Sequence, residues 1–110
     1  MDKETRPYIA WDIVQDFMVK AFIQLGVPEA DAAICADVLM ESDRRGIESH
    51  GVNRFKPIYV DRINKGILNP VTKVDIIRES PTTAVLDAND GIGMVAGKMA
   101  MDMAVEKAGK

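Results

Sequence analysis

Apolar residues recur at steps of three and four up to about residue 65, and Gly26, Gly46 and Gly66 interrupt that rhythm. A period near 3.6 means helices with one apolar face, and a glycine after each run lets the backbone turn out of the helix. The first run, about Ala10 to Leu25, sets Ala10, Val14, Phe17, Met18, Ala21 and Leu25 on one face. Pro28 opens the second, about Glu29 to Arg45, with Ala30, Ile34 and Val38 beside Cys35 and Leu39 on adjoining ridges. Its acidic start, and Arg44 and Arg45 in its last turn, suit the helix dipole. Ser49 is the expected N-cap of a third helix carrying Val52, Phe55, Tyr59 and Ile63 to about Lys65, with Pro57 a place where it restarts or kinks.

The period then changes. "TKVDIIRES" and "TTAVLDA" are short, rich in β-branched residues and separated by Ser80 and Pro81, which predicts two strands around a turn. From Ile92 to Lys107 the helical spacing returns, with Ile92, Val95, Ala96, Met99, Ala100 and Met103 in one broad stripe whose methionines are expected to serve as flexible core filler. The expected class is therefore α/β, divided into a helical subdomain over 1–70 and an α/β segment over 71–110. Two strands and one helix make a poor independent sheet. Their edges and the apolar helix face are expected to be covered by more of the same chain or by another subunit.

Composition narrows the function classes. At 28% charged and 47% hydrophobic residues the chain has the make-up of a folded globular protein rather than a disordered one. Its net charge is -3 and its Lys and Arg residues are scattered, so no footprint for a phosphate backbone is present and nucleic acid is not an expected partner. The opening "MDKETRPYIAWD" contains no apolar leader core, and no stretch approaches the ~20 apolar residues of a membrane span, so a cytoplasmic location is expected. Cys35, the single cysteine, lies in an apolar helical run and reads as a small buried hydrophobe.

The segment "GIESHGVNRF" holds the only histidine. On a helix, His50 and Arg54 at i and i+4 share a face, with Ser49 at the helix entrance. Imidazole exchanges protons near neutral pH and a guanidinium grips a carboxylate, a combination suited to an anionic oxo- or hydroxy-acid. Helix-start N–H groups would help seat such an anion. Both that helix end and Arg54 disfavour protonated imidazole, so a bound anion would restore the balance. Residue types alone favour a structural or surface histidine over a catalytic one. "GIGMVAG" has the spacing G-x-G-x-x-x-G, one residue longer than a dinucleotide fingerprint, and is read instead as glycines bringing a helix close to a sheet. One histidine without a Cys–His cluster gives no metal site.

The run "ADVLMESDRRGIESHGVNRFKPIYVDRINKGILNP" resembles the N-terminal signature of the malate/L-lactate dehydrogenase family, through Ala36, Asp37, Gly46, Ser49, His50, Gly51, Arg54, Tyr59, Gly66 and Pro70. "GVPEADA" upstream and "DANDGIGMVAGKMAMDMAVEKA" downstream extend the match over nearly the whole chain, which resembles the first third of a family member. The resemblance implies NAD(P)-dependent oxidation and reduction of 2-hydroxy and 2-oxo acids. It implies a non-Rossmann cofactor domain that starts in this chain after the helical, substrate-side subdomain, and a homodimer with active sites between domains. It assigns His50 as proton donor to the substrate carbonyl, Arg54 to the substrate carboxylate, and Ser49 to orienting His50 or bonding the reacting oxygen. NAD or NADP is the implied cofactor, held by residues this sequence does not identify. A different class, a non-catalytic helical interaction module with a dehydrogenase-like surface, is the alternative expectation.

Overall fold

The structure is a computed structural model that describes residues 8–110; the first seven residues of the charged N-terminal stretch lie outside the described residues. Helix α1 (Trp11–Gln24) and helix α2 (Glu29–Arg44) pack together as a helical hairpin. Gly26 ends α1 at φ +99°, with its N–H donating to Ile23 O at 3.0 Å and the Val27 N–H donating to Phe22 O at 3.0 Å. That pair of bonds satisfies carbonyls a helix end leaves open, and it draws Val27 and Phe22, both buried, into the core. Gly46 repeats the motif after α2 at φ +80°, with Ile47 N–H donating to Ser42 O at 2.8 Å.

The core is one cluster: Met18 and Phe22 from α1, Val27 from the link, Ala32, Cys35, Ala36, Leu39 and Met40 from α2, with Phe55 and Ile92 from beyond. It departs from the expected faces in two ways. Phe17 points outward, 63% exposed, and Phe22 takes the central place. On α2 the buried stripe is centred on Cys35 and Leu39, leaving Ala30 and Val38 on the solvent side.

The third helix is not continuous. Short 3-10 turns at Glu48–His50 and Val52–Arg54 lead into a π-helical stretch, Phe55–Val60, and only then into α3 (Asp61–Asn64). Pro57 is the physical reason: it has no N–H to donate and its ring crowds the carbonyl four residues back, so the α register fails around it. Ser49 caps no helix, contrary to expectation; its hydroxyl is engaged with His50.

Strands β1 (Asp75–Glu79) and β2 (Ala84–Asp87) pair antiparallel, Asp75 opposite Asp87 and Glu79 opposite Ala84, with an irregularity between Ile76 and Arg78. Ser80 closes the hairpin, its N–H donating to Thr83 O at 2.9 Å and its Oγ accepting the Thr83 N–H at 3.0 Å. Opposed aspartates repel, and Asn89 relieves this by donating from Nδ2 to Asp75 Oδ2 at 3.0 Å and from its N–H to Asp87 Oδ1 at 2.8 Å. Asn89 and Asp90 both hold positive φ in a turn closed by Gly91 N–H on Ala88 O at 2.9 Å. Few residues other than glycine tolerate that conformation as well as Asn and Asp.

Helix α4 (Gly93–Ala108) follows, anchored at one end by Ile92, whose N–H donates to Thr72 Oγ1 at 2.9 Å. Lys107 anchors the other, with Nζ 2.9 Å from Glu79 Oε1 and 2.7 Å from Ser80 O. Between these anchors α4 buries no residue fully: Met94 and Val95 pack against the core half-buried, Met99 and Met103 of the expected stripe are half-buried, and Met101, outside that stripe, is 64% exposed. Of the three glycines in Gly91–Gly97, Gly93 and Gly97 have open space around them and Gly91 is closely packed, since a Cβ there would meet Thr72. The radius of gyration, 15.9 Å, exceeds the about 13 Å of a compact domain this long, which agrees with a β-hairpin and a distal end of α4 that hold no fully buried residue. Because Phe22 is fully buried among aromatic rings, Phe22→Ala is expected to cost about 3–5 kcal/mol in urea unfolding, whereas Phe17→Ala should cost under about 1 kcal/mol.

Candidate active site

The Gly46 turn directs the chain from α2 into the 3-10 turn that carries Ser49 and His50. His50 N–H donates to Ile47 O at 3.1 Å and Arg54 N–H to Gly51 O at 3.0 Å, so each site residue sits on its own tight turn. The two are joined through Ser49. Its Oγ lies 2.9 Å from His50 Nδ1, while its carbonyl accepts a hydrogen bond from Arg54 Nε at 2.6 Å. The structure thus brings together all three residues singled out from the sequence, by a bridge and not by a shared helical face.

Ser49 and His50 are exposed and Arg54 is half-buried. Anchoring at Nδ1 leaves the second imidazole nitrogen for a substrate oxygen, and anchoring at Nε leaves the terminal guanidinium N–H groups for a carboxylate. Arg44 and Arg45 are engaged elsewhere, 2.5 Å and 2.8 Å from the Glu41 carboxylate, and the hydrogen bonds from Arg45 and then Arg44 hold that carboxyl below its usual range. Arg44 also stands over the Trp11 ring, 5.4 Å from its centroid.

Asp43 was not legible as a site residue. From the last turn of α2 its Oδ2 accepts the Val52 N–H at 2.9 Å, and a Cβ on Gly51 would run into its carboxylate. No spacing rule marks an acid nine residues before its partner. Among the described residues no group of three or more His, Cys, Asp or Glu side chains gathers to hold a metal ion, and no helix is long and apolar enough to cross a membrane.

The family signature described as malate/L-lactate dehydrogenase matches residues 9–110. The chain belongs to the malate/L-lactate dehydrogenase family. It is a family of 2-hydroxyacid dehydrogenases, oxidoreductases whose chemistry calls for a nicotinamide cofactor. The chain is 50% identical over 99 residues to a malate dehydrogenase of Pyrococcus abyssi, covering 90% of this chain and 27% of that protein. To an L-sulfolactate dehydrogenase of Methanocaldococcus jannaschii it is 47% identical over 85 residues, covering 77% and 24%. Among solved structures, malate dehydrogenase from Entamoeba histolytica superposes with a TM-score of 0.90 at 44% identity, over 93% of this chain and 28% of that one. The α/β expectation is borne out by this likeness. The chain spans about a quarter of the length of the curated relatives it matches.

Cys35 takes no part in this site. Burial, helped by the negative charge of Asp31, pushes its thiol up to about 12. A disulfide reagent at pH 8 is expected to leave Cys35 untouched in the native chain and to titrate one thiol after denaturant is added; rapid labelling in native buffer would contradict its placement.

Proposed function

We propose that this chain forms the N-terminal, substrate-side portion of an NAD(P)-dependent 2-hydroxyacid dehydrogenase, cytoplasmic and homodimeric, with residues 1–70 as the substrate-side subdomain and 71–110 as the start of the cofactor domain. The observation that carries the reading is the Arg54–Ser49–His50 bridge, which fixes an exposed proton-transfer group beside an anion-binding one. In the reductive direction His50 as imidazolium gives Nδ1–H to Ser49 Oγ and the second N–H to the substrate carbonyl. After proton transfer it remains the Nδ1–H tautomer, still held by Ser49, and in the oxidative direction it accepts the hydroxyl proton at the bare nitrogen. Arg54 meets the substrate carboxylate through its terminal N–H groups.

The nicotinamide ring supplies or takes the hydride when bound. This reading gives the glycines of Gly91–Gly97 a packing role rather than a phosphate cradle, in keeping with Gly91 closed against Thr72. Cofactor contacts are assigned to other parts of the assembled enzyme, and this chain contributes proton and charge handling.

Identity favours a malate- or sulfolactate-type substrate: those relatives stand at 50% and 47%, against 34% for a ureidoglycolate dehydrogenase (NAD(+)) of Escherichia coli. The test is oxidation of NADH and NADPH by the intact enzyme carrying this segment, with oxaloacetate, sulfopyruvate and pyruvate. His50→Ala is expected to lower kcat by about 100-fold or more. Arg54→Lys is expected to raise KM by about tenfold or more, since lysine cannot both brace Ser49 and fork onto a carboxylate. Unchanged turnover in His50→Ala would remove the histidine from the mechanism.

A further inference from the structure

We propose that Asp43 is the positioning residue of this site, an acceptor on α2 that fixes the backbone between His50 and Arg54. The catalytic consequence rests on the dehydrogenase reading; the positioning itself does not. Gly51 and Val52 are the peptide units between the two site turns, and one carboxylate governs both: Oδ2 takes the Val52 N–H at 2.9 Å, and the group fills the space a Gly51 side chain would need. Asp43 is held in turn by the helix end it belongs to, where its carbonyl accepts the Gly46 N–H at 3.0 Å. Asp43 lines a cleft with Trp11, Val14, Met40 and Val52, and its bond to the Val52 N–H is partly buried there. Replacing it with a group that cannot accept leaves a half-buried N–H unpaired and frees the segment that aims His50.

Histidine ring nitrogens and backbone amides of the labelled chain read this directly, because His50 is its only histidine. In Asp43→Ala, Val52 amide exchange should rise about tenfold, and the His50 ring shifts should move toward free imidazole as the Ser49 bond loosens, while the Leu39 amide in α2 keeps its protection. Asp43→Asn, whose Oδ1 still accepts, should stay within about twofold of the parent on both readouts. Gly51→Ala, which evicts the carboxylate from its seat, should reproduce the alanine phenotype, and adding Asp43→Ala to it should worsen neither readout further. If Asp43→Ala also exposes Leu39, the Gly51→Ala result decides. Unchanged Val52 exchange and His50 shifts in Gly51→Ala, or equal loss in Asp43→Asn and Asp43→Ala, overturns the proposal. In the intact enzyme Asp43→Ala and Gly51→Ala should lower kcat about tenfold or more with little change in KM, and Asp43→Asn should stay near the parent. Altered spectra with full turnover would leave the positioning standing and count against the dehydrogenase reading of His50.

Discussion

The edge-on packing of Phe55 against Phe22, ring centroids 5.0 Å apart at 72°, is the contact on which the arrangement of this chain turns. Phe22 is the fully buried hub of the α1–α2 hairpin and Phe55 is the residue immediately after Arg54, so the site is tied to the core one residue away. Tyr59 adds a second edge contact to Phe22 at 6.0 Å, and burial pushes its phenol above the ordinary value, keeping it neutral in the packing. At the other end of the segment the Gly46 turn and the Asp43 carboxylate hold the chain to α2. Ser49 and His50 can therefore be exposed while their backbone is fixed at both ends, which is what their proposed role in proton transfer requires.

Helix periodicity made α1, α2 and α4 legible to within one or two residues, yet it chose the wrong aromatic on α1. Ile13, Phe17, Phe22 and Ile23 give that helix apolar side chains on several rows, and spacing alone does not rank them. What selects Phe22 is the Gly26 turn, whose Val27 N–H closes on the Phe22 carbonyl and draws both residues inward. The third helix shows the opposite case: Pro57 announced a disturbance, but spacing does not encode the form it takes, two 3-10 turns before a π-helical stretch. A serine before an apolar run looks like a cap, and here a carboxylate from the preceding helix takes the N–H of Val52 while the serine serves the histidine.

The site residues were legible for a different reason. His50 by itself fitted a structural or surface histidine better than a catalytic one, and the i, i+4 relation to Arg54 suggested a face that the broken helix does not present. The family resemblance chose chemistry, and the geometry supplies the link that spacing could not, a serine that holds one partner by its hydroxyl and the other by its carbonyl. This coupling means that changes at Ser49, His50 and Arg54 will not combine additively, because each alters the anchor of another.

The same physical deficit runs through the fold and the site. Strand β1 is exposed along its whole length, Ile77, Met101 and Val105 are 63%, 64% and 64% exposed, and Phe17 opens an apolar groove with Ala21, Leu25, Phe55 and Val60. Water also reaches His50 and Ser49, and in the proposed enzyme an ion pair between Arg54 and a substrate carboxylate would be weak in that dielectric. Covering the hairpin and the groove removes apolar area from water; enclosing His50 removes the solvent that would compete for the proton and screen the carboxylate. In the proposed enzyme both tasks fall to protein surface contributed from outside these residues, so the interactions that complete the sheet and the core also raise the electrostatic strength of the site. Stability and activity are then coupled by geometry: a substitution that loosens the cover over the groove lined by Phe55 acts one residue from Arg54, and it reaches the chemistry without touching a reacting atom.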